Sequence, residues 1–428
     1  MWRRSIDLTV QRVVFIGVSC LGLACAGRGG ARLGSVTPAN AQLRNAAALM
    51  AAGRCDTAVV VARAGQLLAP ANAMAPLVLG GCQEKDGRYD LAFATYTDFA
   101  AQHPQARGIA TVRAKAQLAL RTQAEQTARQ ALASESTLTR LPPEPSTLAV
   151  LPVTISAGGD STFQPLSRGL AELMTSDLAL VRTLRLLERV QIGALLDELK
   201  LGQSQRGDPN TAARVGRLLR AERMVQGVAS ITPDGPVRLT ASVVRGDGTV
   251  RSGAEANGTF KALLDLEKQL VFSLAAQLGI QLTEAERQRI LRQGPRNLAA
   301  FLAYSQGLDA LDRGDYRAAA AAFSASVRAD PDFQAAQQQQ QAAEAAPAVE
   351  AGGDVFAAAD VPAQEPTPPA APTVGALEAA KNETSPSLGG LLTDNGNVTT
   401  KPELTPASEG INSVTQVSGI IRIIFKRP

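Results

Sequence analysis

Leu148-Ala149-Val150-Leu151-Pro152-Val153 opens the stretch that decides the fold, Ser146 to Lys261. An apolar run without alternation reads as a strand covered on both faces. A loop rich in Gly and Ser follows, Ser156 to Asp160. Leu166, Leu170, Leu173, Met174, Leu178 and Val181 then recur at three- and four-residue steps, with Asp177 the polar exception. That spacing predicts a helix lying on the strand. Thr183 to Arg189 and Val190 to Leu201 repeat the strand and helix. Asp208-Pro209 starts a third helix: Asp accepts free N–H groups as N-cap, and Pro loses nothing at the first helical position.

The period then changes from helical to two. Arg223 to Ile231 alternates, Thr232-Pro233-Asp234-Gly235-Pro236 is a turn, and Val237, Leu239, Ala241 and Val243 alternate with polar neighbours. Gly246-Asp247-Gly248 turns the chain into Thr249 to Phe260. A last helix, Lys261 to Gly279, carries Leu263, Leu266, Leu270, Leu274 and Leu278. The order β-α-β-α-α-β-β-β-α predicts the α/β class, a mixed-sheet sandwich with a hairpin end.

Helical repeats flank this region. Gly53 and Gly87 lie 34 residues apart, as do Ala58 and Ala92, and Pro70 and Pro104; each Gly precedes its Pro by 17. This is the spacing of tetratricopeptide helix pairs. Gly80 occupies a close-approach position, where the first unit has Ala46. Residues 107–133 continue as a capping or solvating helix. A third unit follows the central region: Gly307, Gly314-Asp315-Tyr316, Ala319, Phe323 and Pro331, again with 17 residues from Gly to Pro. A single unit cannot bury its own apolar face, so it must pack on the central region or on the first two units. Thr283 and Glu286 form a capping box for a short helix before it.

The run Leu148 to Val153, the segments Leu166 to Met174 and Leu186 to Gln191, and Leu199 to Gln205 together resemble the CsgG family. Asp208 to Gly216 and Ala221 to Gly227 resemble it too. The likeness extends to FlgO- and LpoB-type outer-membrane lipoproteins and to the TolB amino-terminal domain. It implies a CsgG/TolB-N-like fold and a non-enzymatic envelope scaffold in secretion or assembly of curli-like surface structures, with an LpoB-like lipoprotein regulator of a periplasmic cell-wall synthase as the alternative. Pore-forming members add long hairpins, for which the short connections here leave no room.

The segments divide as an export signal at 1–26, repeats at 41–135 and a Pro-rich linker at 136–146. The α/β domain then occupies 147–281, and a helical segment with one repeat unit 282–340. Low-complexity sequence expected to be disordered fills 341–412, and 413–428 forms a strand. Arg3, Arg4 and Arg12 before an apolar stretch read as a signal. Leu21-Gly22-Leu23-Ala24-Cys25 is an acceptable lipobox that would leave Cys25 lipidated, Cys20 has similar neighbours, and Ala24-Cys25-Ala26 suits ordinary cleavage. The periplasm, with an outer-membrane lipid anchor, is the expected address. Ser418 to Arg427 would dock on the chain's own sheet or on a partner's sheet edge.

A net charge of +4 over 428 residues and 4% aromatic content exclude an obvious nucleic-acid surface. His103, the one histidine, sits in an inter-repeat turn, so a His-dependent triad or zinc hydrolase has no support. No phosphate loop occurs, Ala157-Gly158-Gly159-Asp160 reads as a plain loop, and no cofactor is expected. Glu172, Asp177, Glu188 and Asp197 are assigned to solvated helix faces. Arg189 and Arg214 are expected to pair with Glu188 or Asp208. Cys55 and Cys82 can form a disulfide or serve as small apolar residues in helices. Tyr89, Tyr96, Tyr304 and Tyr316 are candidate partner-binding residues in the repeat grooves, with packing as the alternative. Expected partners are envelope proteins or peptides held by the repeats, and a homo-oligomer is possible.

Overall fold

The computed structural model describes residues 38–360, apart from 159, 201–207 and 233–234. Cys20, Cys25, the export signal and the strand-forming tail therefore lie outside the described residues, as do residues 361–412 of the expected low-complexity segment.

Four helices open the chain: α1 (Pro38–Ala51), α2 (Cys55–Leu68), α3 (Met74–Lys85) and α4 (Tyr89–Gln102). They form two hairpin pairs, turned at Gly53 and Gly87 with φ of +76° and +71°, a left-handed conformation that favours glycine. Gly80 lets α3 approach α4 so closely that a Cβ there would overlap the Tyr96 ring.

The next helix, α5 (Ile109–Ala133), caps the first repeats, as one of the two readings of its sequence has it, but goes beyond a cap. Its alanines are buried on several sides. Val112, Ala116 and Ala119 close the core of the first repeats, and Ala114 meets Tyr316 and Ala346. Ala128 and Ala131 enter the core beneath the central sheet. Small side chains let neighbouring backbones come close, so one helix can serve three contacts.

The expected linker is partly strand. A short helix, α6 (Glu135–Leu138), precedes β1 (Glu144–Val150), which begins inside the proline run. Pro145 is accommodated because the register against the neighbouring strand shifts between Glu144 and Leu148, with Ser146 at φ +61°. Such a bulge is where a strand tolerates a missing donor. Pro152 splits the apolar run, and β2 (Thr154–Ser156) resumes it along the same neighbour.

The remaining central elements are α7 (Leu166–Leu178), the two-residue β3 (Arg185–Leu186), α8 (Arg189–Glu198) and α9 (Pro209–Leu219). They lead into β4 (Ala221–Ile231), β5 (Pro236–Arg245), β6 (Val250–Thr259) and α10 (Leu263–Gln277). The sheet order is β3-β1-β4-β5-β6, with β2 also on β4. The β3, β1 and β4 strands run parallel; β4, β5 and β6 are antiparallel. One face is covered by α7 and α10 through Leu170, Met174, Leu266 and Leu270 against Val225, Leu239 and Ala254. The other is covered by α8 and α9 near Leu151, Met224 and Val244. Towards β6 that second face is open, with Val228, Arg238, Glu255 and Asn257 exposed. The fold is the expected mixed α/β sandwich, with a hairpin end polar on its open side, as antiparallel sheets permit.

The chain then returns to helix with α11 (Glu284–Arg292), α12 (Leu298–Asp312), α13 (Tyr316–Ala329) and α14 (Gln334–Glu350), followed by the short α15 (Ala357–Asp360). Residues 341–360, expected to be disordered, are thus in good part helical. Gln and Ala are good helix formers, and Ala336, Ala342, Ala343 and Ala346 bury the inner side of α14. Gln339 and Gln341 bond to Gln117 and Arg113 on α5. The third repeat unit therefore docks twice, on the first helical array through α5 and on the central sandwich through α7.

Candidate functional site

The densest polar cluster lies where α7 meets α12. Gly169 lets the helices touch, since a Cβ there would overlap the Ser305 side chain. On α7, Arg168 and Glu172 are one turn apart on the same face; on α12, Asp309 and Asp312 likewise. The Arg168 guanidinium donates to Asp309 Oδ1 at 2.8 Å and to Asp312 Oδ2 at 2.6 Å. Arg189, at the start of α8, donates to Glu172 Oε2 at 3.1 Å and to Asp312 Oδ2 at 2.7 Å. Arg313 pairs with Asp309 at the rim. Arg168, Arg189 and Arg313 thus balance Glu172, Asp309 and Asp312, an arrangement that holds elements together.

Protonation follows from this packing. Burial would raise the Asp312 carboxyl, but Arg189 and Arg168 outweigh it and hold the group below its ordinary range. Glu188 is pushed up to about 7 by burial and by Glu172, against the pull of Arg189. Burial, with Glu172 adding to it, also raises the Tyr304 phenol. The expected pairing of Arg189 with Glu188 is corrected: its partners come from α7 and α12. Arg214 pairs with Glu135 through two bonds of 2.7 and 2.8 Å rather than with Asp208. Asp208 instead caps α9, accepting from the Asn210 amide at 3.1 Å.

A second cluster sits between α7 and α10. Asp177 and Glu267 are 0% and 1% exposed, so the assignment of Asp177 to a solvated face is corrected. Lys268 pairs with both. Asp177 Oδ1 and both Glu267 carboxylate oxygens have no hydrogen-bond partner. Burial pushes both carboxyls up. For Asp177 the neighbouring Glu267 adds to this, while Lys268 pulls each back.

The tyrosines named from sequence mostly pack. Tyr96, Tyr304 and Tyr316 are 0%, 2% and 7% exposed, so these three do not line an open groove. Tyr96 donates to Glu84, Tyr316 donates to Glu350, and Tyr304 packs on Phe323 and Phe333. Tyr89, at the start of α4, is half-buried. Cys55 and Cys82 are joined in a disulfide that ties α2 to α3, with Cα atoms 5.5 Å apart. His103 packs against the Phe99 ring. Among the described residues no group of three or more His, Cys, Asp or Glu could hold a metal ion. Asp309 and Asp312 were not singled out in the sequence. The signal for them was weak, two acids one turn apart ending a helix with a largely apolar pattern.

Residues 145–232 match the family model described as curli production assembly/transport component CsgG. The central segment is CsgG-like. The match runs from β1 to the end of β4, so β5, β6 and α10 of this CsgG-like sandwich lie beyond it. Among solved structures, the chain is similar to the LpoB C-terminal domain from Salmonella enterica, with 16% identity and a TM-score of 0.21. That likeness covers 32% of this chain and 94% of that one. It is also similar to a tetratricopeptide repeat protein from Parabacteroides merdae ATCC 43184, with 11% identity, 72% and 98% coverage and a TM-score of 0.18. At these scores neither likeness says anything about partners. No curated protein matches the chain. No helix among the described residues is long and apolar enough to cross a membrane.

Proposed function

We propose that this protein is a non-enzymatic scaffold of the bacterial envelope, assisting the secretion or assembly of curli-like surface structures through protein–protein contacts. The observation that carries this reading is the CsgG match at 145–232, set between helical repeats that dock on it and on one another. Repeat arrays of this kind present extended surfaces to peptides and proteins. The cluster where α7 and α8 meet α12 supports it as well, because its charges pair with one another and join elements. The address, a periplasmic protein held at the outer membrane by a lipid on Cys25, belongs to the same reading and rests on the amino-terminal sequence.

The reading does not make the chain a pore. Residues 157–165 connect β2 to α7, and residues 199–208 connect α8 to α9. Each is shorter than the paired strands, of about nine to eleven residues apiece, that a bilayer-crossing hairpin needs.

Crosslinking the full-length protein in intact cells, followed by identification of the captured chains, tests the proposal. Fibre subunits or their export machinery are the expected catch. Recovery of a cell-wall synthase without them would replace assembly with regulation, and turnover of a substrate by the purified protein would end the non-enzymatic reading.

A further inference from the structure

The sheet has two unlike edges. At one, β3 is two residues long and is followed at once by α8, so it offers little backbone to pair with. At the other, β6 runs for ten residues, and among the described residues no strand pairs with its outer side. Edges left open in this way are usually blunted by shortness, lysine or proline. The register of β6 does shift opposite Ala241 and Val243, a bulge near its start. Past the bulge, Ala254 to Thr259 pair regularly with Pro236 to Ala241 and carry neither lysine nor proline.

The composition of β6 adds a second observation. Gly253, Ala254, Glu255, Ala256, Asn257 and Gly258 are all of types that strands disfavour. Such a segment contributes backbone groups but little side-chain packing. Residues 420–425, Ile-Ile-Arg-Ile-Ile-Phe, have the opposite character: bulky and of strand-forming types. The two are complementary.

We propose that residues 420–425 add to the outer side of β6 in the same molecule and complete the sheet as its last strand. One face assignment matches the apolar side of β6, with Ile420 and Ile424 then sharing the open face with Arg422. Ala254 and Ala256 face the layer under α10, and Gly258 lies against Leu266. Ile421, Ile423 and Phe425 extend that apolar layer. Arg422 falls on the open face, which carries Glu255, and Lys426 continues the same side. The segment's charged side chain is Arg422, followed by Lys426 and Arg427. The 59 residues from 361 to 419 separate it from the described chain, and a chain of that length reaches at most about 200 Å. This strand addition stands apart from the scaffold reading, since it concerns the chain's own sheet whatever its partners.

Amide hydrogen exchange on the purified full chain tests it, with a variant carrying Ile421→Asp, Ile423→Asp and Phe425→Asp as comparison. Far-ultraviolet circular dichroism of the variant checks that the helices and sheet remain. The outward-facing β6 amides between 254 and 259 should exchange more than about tenfold more slowly in the natural chain than in the variant, independent of protein concentration. Equal rates in the two proteins would overturn the proposal. So would protection that grows with concentration alongside a doubled mass, which would mean that a second copy covers the edge.

Discussion

Arg189 on α8 and Asp312 at the end of α12 are 123 residues apart in sequence and 2.7 Å apart in space. Their bond joins the sandwich to the third repeat unit, and Asp312 also accepts from Arg168 at 2.6 Å. Replacing Asp312 by Ala leaves a guanidinium that is 8% exposed with Glu172 as its remaining ion-pair partner. Breaking a buried pair from one side is costly, on the order of 3 kcal/mol. Asp312→Ala should lower the urea midpoint accordingly. The pH dependence has a defined sign. A carboxyl held below its unfolded value near 4 contributes stability above that pH and loses it as pH falls through the folded value. The natural protein should therefore lose stability more steeply than Asp312→Ala below about pH 4.

The buried acids Asp177 and Glu267 act in the opposite direction. Their carboxyls are raised, first by burial, so the folded state holds protons that the unfolded chain releases. Their contribution is full below the unfolded values, about 4, and declines as pH rises through the folded values. Glu267→Gln removes the surplus negative charge and keeps the pair between Asp177 and Lys268. It should stabilise the protein at neutral pH by on the order of 1 kcal/mol. Thermal denaturation between pH 5 and 9 should show a flatter profile for the variant. An unchanged slope would mean that this cluster does not set it.

Much of this architecture was legible because its causes are local. Asp208 caps α9 from two residues away, Thr283 and Glu286 close a capping box within one turn, and the 34-residue spacing places Gly53 and Gly87 in equivalent turns. What escaped is governed by partners distant in sequence. The Gln and Ala run at 334–350 has no stripe of large apolar residues to announce a buried helix; its alanines are covered by α5 and by the third unit's Tyr304, Phe323 and Phe333. The junction acids were invisible for the same reason: Arg313 lies one turn from Asp309, but Arg168 and Arg189, which tie Asp309 and Asp312 to the sandwich, lie more than a hundred residues away. Tyr96, Tyr304 and Tyr316 were ambiguous because aromatic residues in repeats serve packing and contact alike; burial decides between these roles.

Glycines separate close packing from propensity. Gly307→Ala would place a Cβ 2.5 Å from the Phe323 ring, which is fully buried and cannot retreat. Overpacking costs about 1–3 kcal/mol, more than offsetting the gain of about 1 kcal/mol in helix propensity. Gly193 on α8 is the control, because nothing lies within 4 Å of its added Cβ. Gly193→Ala should raise stability by up to about 1 kcal/mol. Urea denaturation of the two variants should move in opposite directions.

The disulfide between Cys55 and Cys82 should matter more than its place at one end of the described helices suggests. It joins α2 to α3 across 27 residues. Closing a loop of that length restricts the unfolded chain by about 3.5 kcal/mol in the chain-entropy description. The first repeats have a core of mostly small side chains, with Ala46, Ala58, Ala62 and Ala92 among them, so little other burial can replace the crosslink. Cys82→Ser should therefore lower the melting temperature, and reductant should have the same effect on the natural protein and none on the variant. If reductant leaves the natural protein's melting unchanged, the crosslink contributes nothing to its stability, and the alanine packing of α1 to α4 suffices by itself.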